Sequence, residues 1–453
     1  MINTIHLPIE NHLENFLNLI PREINPLDRN KAGDFSRECP LTFPRVITLT
    51  LALTANSNPC GVDIQIGQFF NRARHSGLWT DFQTVSRGAM TKARQKVPAK
   101  VFQDILSQAV NLAYDIWPHN DEAFIWNGMS VFALDGSKFD LPATLEIRKH
   151  FDPESGLEQP GKGHYPQCLV STVYDVFRRL PIARTVVPNH GSEREELKNL
   201  LPSLPSDSIW MFDRGYPSYE VLNLLSQDYP GYYLFRCPAK GTFPAVERFV
   251  ASGQAEATIW VTPSNNFLNR VAVENRKRLK AIKVRVIRLE SPDGTLSVLL
   301  TNLFGRRKFR ADEIIALYFK RWRVEEYYRD EKVTLDLESF HSHSVNGILQ
   351  EFYAALIMSV IARTLMAISG QFYLKPHQEA QFKNAINALS AEAAWLVPYD
   401  PAKAVMIFDE LLREIARVKY YRPKQKRPVQ PRINKRPINK WKAYRAKELR
   451  KNA

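Results

Sequence analysis

Between about 126 and 238, short apolar runs closed by turn residues alternate with segments whose apolar positions recur every three or four residues. The first kind predicts buried strands and the second amphipathic helices. One run, 131–134, leads into Asp135-Gly136; another, 209–212, leads into Asp213-Arg-Gly215-Tyr216. The segments 167–176 and 180–187 read as a neighbouring pair of strands. Helices are expected over 192–201 and 218–225, and a strand over 232–237. A mixed sheet flanked by helices follows, which is an α/β fold.

On either side the periodicity changes. Residues 1–125 are mostly helical in pattern, with loop material at 31–44 and 55–61. A basic turn at 91–98 leads into an apolar-periodic helix over 101–116. On their own its cations read as the solvated face of a helical cap. From 239 to 303, alternating runs at 257–261, 279–288 and 296–301 predict a β-rich insertion. The helical pattern returns after 304 and continues through 346–370 and 378–396. The stretch 352–370 is the most apolar of the chain. Arg363 interrupts it and Ser359 and Thr364 break its uniformity, which predicts a core helix and no membrane span.

The 453 residues suffice for two to four domains, and 44% hydrophobic with 24% charged residues excludes wholesale disorder. The net charge of +15 is concentrated at one end. Residues 417–453 hold 15 Lys and Arg against one Glu, so they carry +14 and the remainder +1. Such a tail suits salt-dependent, sequence-independent contact with DNA phosphates, or solubility alone. Prolines at 423, 428, 431 and 437 oppose a long helix there, which predicts flexibility, with Trp441 and Tyr444 as an anchor. The four cysteines are scattered without a C-x-x-C pair, which argues against a zinc module and fits a reducing compartment. The start of the chain lacks a basic, apolar leader, so a cytoplasmic protein is expected.

The candidate chemistry lies on one predicted helix. Tyr318, Arg321, Glu325 and Lys332 are spaced at i, i+3, i+7 and i+14, with no Gly or Pro from Ala311 to Lys332. On an ideal helix those side chains fall within roughly a 60° arc. An aromatic ring, two cations and a carboxylate on one face suit a site that grips phosphate and holds a metal. Mg²⁺ takes several oxygen ligands, and Asp135 and Asp213 at strand ends are placed to complete the set with Glu325. Asp140 and Glu146 read as surface or loop carboxylates, and the glutamates at 193 and 196 as a solvated helix start. His341 and His343 lack a third partner at metal-ligand spacing, and Gly161-Lys-Gly163 is too short for a phosphate loop. Arg214 and Tyr216 suit either positioning of Asp213 or a simple turn.

Asp135-Gly136-Ser, Asp213-Arg-Gly-Tyr216 and Tyr318-x2-Arg321-x3-Glu325-x6-Lys332 together resemble the DDE transposases of bacterial insertion sequences, in the "insertion sequence four" group. Tyr165-Pro-Gln and Val186-Pro-Asn-His-Gly-Ser-Glu193 follow that group's order, so the likeness covers most of the chain. The resemblance implies a ribonuclease-H-like catalytic core over 126–238 and 304–370, interrupted by the insertion 239–303. It further implies an N-terminal helical region, 1–125, that recognises the element's ends, a helical region over 371–416, and the basic tail 417–453. Asp135, Asp213 and Glu325 would hold two Mg²⁺ ions, with Mn²⁺ able to substitute. Tyr318, Arg321, Trp322 and Lys332 would contact DNA. The implied partners are double-stranded DNA, as terminal inverted repeats and target, and a second copy in a synaptic homodimer with no membrane; the implied location is the bacterial cytoplasm and nucleoid. One position departs from some relatives: Val298, not Trp, precedes Leu299-Leu300-Thr301, leaving Trp260 as the insertion's candidate to hold a flipped base. A metal-dependent nuclease of the same fold, or a non-catalytic DNA-binding descendant, remains open beside the transposase.

Overall fold

The computed structural model describes residues 8–29, 31–37, 39–55, 60–80, 83–117, 122–154, 165–277, 279–290 and 295–421. The basic segment 422–453, with Trp441 and Tyr444, and the Gly161-Lys-Gly163 turn lie outside them. Five helices come first: α1 (Ile9–Leu17), α2 (Phe43–Thr54), α3 (Val62–His75), α4 (Arg87–Arg94) and α5 (Ala99–Ile116). Then follow β1 (Ser130–Asp140), α6 (Leu145–Phe151), β2 (Gln167–Asp175), β3 (Leu180–Pro188), α7 (Glu193–Leu200), β4 (Ser208–Phe212), α8 (Tyr219–Asp228) and β5 (Tyr232–Pro238). The next segment contributes α9 (Pro244–Ala251), β6 (Glu256–Val261), α10 (Asn265–Arg270), α11 (Val273–Arg276), β7 (Ile282–Glu290) and β8 (Leu296–Thr301). Helices α12 (Ala311–Phe319), α13 (Arg323–Arg329), α14 (Val345–Tyr373), α15 (Phe382–Glu392) and α16 (Pro401–Arg417) close the chain, with short strands β9 (Gln378–Ala380) and β10 (Lys419–Tyr421).

The molecule is a mixed α/β structure around one eight-stranded sheet, in the order β3-β2-β1-β4-β5-β8-β7-β6. β1, β4 and β5 run parallel, and the other neighbouring pairs are antiparallel. Every residue of β4 is buried, as expected of a central parallel strand covered on both faces. The three strands between 239 and 303 lengthen this same sheet, because β8 hydrogen-bonds to β5 and so covers an apolar edge. Two segments depart from the helical expectation. Residues 378–380 form β9, which pairs with β10, and α15 begins only at Phe382. Residues 417–421, expected in the flexible tail, end α16 and form β10.

Helix α14 is apolar on all sides and buried along most of its length, with α2, α5, α15, α16 and β3 packed around it. Such a helix belongs to a core. Where it meets the sheet lies an ion pair with both side chains fully buried. Arg184 Nη2 on β3 donates to Glu331 Oε2 at 2.6 Å. Thr172 Oγ1, the Phe352 carbonyl and the Tyr327 hydroxyl satisfy the remaining groups of the pair.

A second joint ties the N-terminal helices to α14. Arg94 forms an ion pair with Glu351 at 2.8 Å and donates to the Gly347 carbonyl and to Gln350. Backbone N–H groups of His341 and Ser342 donate to the same Glu351 carboxylate. The 91–98 segment is therefore no free basic turn: it runs out of α4, and its Arg94 is a packing residue. Lys96 lies 3.7 Å from Asp34. His341 stands 3.5 Å from Glu351, which gives it a structural partner in place of a metal.

Two predictions follow from these joints. Arg184→Met leaves Glu331 buried and unpaired and is expected to cost about 3–5 kcal/mol in urea unfolding, whereas Arg184→Met/Glu331→Leu recovers most of it. Burial alone would raise the Glu351 carboxyl, but Arg94 and His341 outweigh it and hold the group at about 2, below its usual 4.5. A depressed folded value stabilises fully above pH 4.5 and is lost as pH falls through 2, an effect on the order of 3 kcal/mol. Glu351→Gln should therefore flatten the acid limb of the stability curve in that window; an unchanged limb would contradict the assignment.

Candidate active site

β4 stops at Phe212, whereas its parallel neighbour β1 runs on to Asp140 beside β2. The last rung between β1 and β4 is Leu134 with Phe212. Asp135 and Asp213 are therefore the next residues of two adjacent parallel strands, whose spacing is about 4.8 Å. Asp135 was expected at a strand end, but β2 keeps pairing through Asp135–Thr172 and Gly136–Ser171, so Asp-Gly is no turn here. Where β4 ends, a notch opens above it, and Asp213 turns the chain there, its carbonyl accepting from the Tyr216 N–H at 3.2 Å.

The helical segment laid across this notch departs from α-helical pitch twice. The expected single helix from 311 to 332 is α12, a 3-10 turn at Lys320–Trp322, α13, and a π-helical turn at Asp330–Thr334. The predicted face nevertheless stays turned to the sheet. Tyr318 donates to the Phe212 carbonyl at 3.3 Å. Arg321 pairs with Glu325 and lies 3.9 Å from Asp135. Lys332 donates to the Lys138 carbonyl, sits over the Phe139 ring and lies 3.4 Å from Glu338. Tyr318 is thus buried against β4 and not presented to a partner. Trp322 is 60% exposed, and Phe319, one turn earlier, is 62% exposed.

Charge crowding dominates the centre. Burial pushes the Asp135 carboxyl up to about 7; Arg321 pulls it down, and Glu325, Glu193 and Asp213 push it further up. Burial opposes the charge of Arg321, yet Tyr318, Asp135, Asp213 and Glu325 hold its affinity for the proton above the ordinary value. Burial also raises the Tyr318 hydroxyl to about 12. Arg321 Nε and Nη1 have no hydrogen-bond partner although the residue is buried. Carboxylate oxygens are the donors that Mg²⁺ takes, so the residue types fit a divalent ion. Among the described residues no three acidic, His or Cys side chains stand close enough to share an ion as placed, and Glu325 is turned onto Arg321. Closing the set requires Glu325 to leave that guanidinium.

Three residues at the site were not singled out as site residues in the sequence. Glu193, expected to be solvated, lies directly against Gly136: a Cβ added there would fall 2.2 Å from its Oε1. Tyr328 donates to the Asp135 carbonyl at 2.7 Å and to Val170. Its position three residues after Glu325, on the same helix face, is the signal that could have found it. Phe319, three residues before Trp322, could have been found the same way. Other candidates lie elsewhere. Asp140 accepts from Gln167, Glu146 accepts from the Val345 N–H, and Arg214 is exposed. Trp260 lies on the far edge strand, five strand spacings or roughly 24 Å from β1. The register also carries it toward the opposite end of the sheet, so it does not join the site. Val298 is buried in β8.

Residues 126–361 match the family profile described as "Transposase DDE domain". The transposase InsG of insertion sequence element IS4 from Escherichia coli (strain K12) is 23% identical over 296 residues, 62% of this chain and 61% of that protein. The putative transposase InsZ of the same strain is 25% identical over 144 residues, 32% of this chain and 46% of that protein. The chain therefore spans less than two thirds of the length of either curated relative. A cryo-EM structure of a piggyBac transposase synaptic complex with hairpin DNA shares 9% identity at a TM-score of 0.48, covering 91% of this chain and 83% of that one.

The buried hydroxyl of Tyr318 and the exposed ring of Trp322 separate in a stability assay. Tyr318→Phe is expected to lose about 1 kcal/mol in urea unfolding. Trp322→Ala should change it by less than about 0.5 kcal/mol.

Proposed function

Because the chain belongs to the transposase DDE-domain family, we propose that it is a DNA transposase that cuts at the ends of an insertion sequence and joins the freed 3′-OH ends to target DNA. The observation that carries this reading is the side-by-side placement of Asp135 and Asp213 beneath the segment bearing Arg321 and Glu325. The strand order β3-β2-β1-β4-β5, three antiparallel strands followed by two parallel ones, supports a ribonuclease-H-like core over 126–238 and 304–370. In this reading 239–303 is its insertion, 1–125 recognises the element's ends, 371–416 is a helical C-terminal region, and 417–453 contacts DNA nonspecifically.

Asp135, Asp213 and Glu325 hold the divalent ions, two Mg²⁺ or in their place Mn²⁺. When bound, such a pair of ions supplies an activated nucleophile and charge on the leaving oxygen. The remaining work belongs to the protein. Arg321 keeps Nε and Nη1 buried and without partners, and a phosphate oxygen can take either as a charge-assisted hydrogen bond. A phosphate in that position draws the guanidinium off Glu325 and releases the carboxylate. Lys332 lies at the edge of the notch as a point charge for a flanking phosphate. Phe319 and Trp322 offer exposed rings to unstacked bases. Tyr318 positions the end of β4 from beneath. The two ends of an element are paired by a homodimer, on DNA of the nucleoid.

A plasmid carrying the gene with its native flanks tests the reading. Mg²⁺- or Mn²⁺-dependent cuts at fixed positions on the element's borders are expected, and Glu325→Gln should lower them at least about a hundredfold. Diffuse nicking that still needs Glu325 would point to a general nuclease. Binding without cutting would overturn catalysis.

A further inference from the structure

The three acidic residues assigned above leave a fourth carboxylate unexplained. Glu193 opens α7, the helix that leads from β3 to β4, and its carboxylate rests on the backbone of Gly136, next to Asp135. Any side chain at 136 would fall onto that carboxylate, at 2.2 Å from Oε1 for a bare Cβ. The following residue, Arg194, donates from Nε to the Gly215 carbonyl at 2.8 Å, in the turn that carries Asp213. The start of α7 is thereby pinned between the two aspartate segments, with Glu193 facing one and Arg194 the other. The Tyr216 hydroxyl, on a residue 1% exposed, forms no well-aligned hydrogen bond and stands against the Glu193 carboxylate. It lies beside both Glu193 and Asp135.

A carboxylate held beside another carboxylate is costly unless a cation joins them. Arg321 answers Glu325 and Asp135, and no cation is found paired with Glu193 among the described residues. A buried hydroxyl without a well-aligned hydrogen bond and a glycine that admits the carboxylate both mark a place where an additional ligand belongs. We propose that Glu193 is a fourth acidic ligand of the site, holding together with Asp135 a divalent ion, and that Gly136 is the residue that lets it reach. This rests on the metal-dependent reading above and adds a residue to it.

The test is Mn²⁺ binding to the full-length, DNA-free protein, followed by the electron paramagnetic resonance signal of free Mn²⁺ and by calorimetry. Glu193→Gln is expected to weaken binding about tenfold or more. Glu195→Gln, two residues on with an exposed side chain, should bind as the parent does. Gly136→Ala keeps every charge but displaces the carboxylate, so it should weaken Mn²⁺ to a similar degree. The double variant should be little worse than either single one, since both remove one contact. Thermal melts without metal check that each variant folds, and Gly136→Ala carries the test if Glu193→Gln does not fold. Parent-like affinity in both Glu193→Gln and Gly136→Ala, with Glu325→Gln weakened, overturns this inference and leaves the metal-dependent reading standing. Parent-like affinity in Glu325→Gln as well overturns the reading of the site itself.

Discussion

The buried ion pair between Arg184 and Glu331 is the constraint on which the geometry of the site depends. Two charges with no solvent exposure lie between the sheet and α14, and taking them out of water costs several kcal/mol each unless every hydrogen-bonding group is met. Here Thr172, the Phe352 carbonyl and Tyr327 meet them. Because the arrangement tolerates so little displacement, Glu331 can occupy only one position relative to β3. That position lies in a π-helical turn, where the wider pitch carries Glu331 inward while Lys332 stays at the edge over β1. Glu325, just under two turns earlier on α13, inherits its register from the same anchor. Tyr328, donating to the Asp135 carbonyl, fixes it a second time.

The site itself is organised by an excess of negative charge. Asp135, Asp213, Glu325 and Glu193 converge, and one buried guanidinium offsets part of the repulsion. Arg321 is thereby a placeholder. It offsets part of the carboxylates' charge, yet two nitrogens without partners, Nε and Nη1, leave it poised to turn to a stronger acceptor. A phosphate for the arginine and divalent ions for the carboxylates would satisfy both sides at once, and neither exchange is as favourable alone. Substrate and metal are then expected to bind with positive coupling, since each removes the partner the other group would otherwise keep.

What was legible in the sequence follows physical range. Asp213 closing an apolar run, and the repeat of Tyr318, Arg321, Glu325 and Lys332 on one helix face, are local patterns, and each side chain does face the sheet. Glu193 was not legible, because three glutamates in a helix's first turn are ordinary answers to its dipole. Which of them turns inward depends on Gly136, some sixty residues away. Arg184 was assigned no role from the sequence, because its partner lies 147 residues further on. Tyr318 shows a different limit: the spacing places it on the face turned to the sheet, but only the fold shows that its hydroxyl donates to the end of β4. The pitch changes from 311 to 334 were not legible either, since no Gly or Pro announces them and the buried partner of Glu331 in the π-helical turn lies on a distant strand.

The position of the two aspartates also explains why the sheet is asymmetric. Had β1 and β4 ended together, both carboxylates would stand in an open rim with free rotation. Instead β1 continues past Asp135 while β4 stops, so Asp135 is held in a ladder with Thr172 and Asp213 sits in a turn with no strand partner. One carboxylate is fixed and half-enclosed; the other is adjustable. That division suits chemistry in which a scissile phosphate and a second nucleophile must occupy the same centre in succession. The fixed group keeps the reference frame, and the adjustable Asp213 and the exchangeable Glu325 accommodate the change of occupant. The rigid half is secured by the sheet, while the movable half is secured only by a turn and by a guanidinium that substrate can take away.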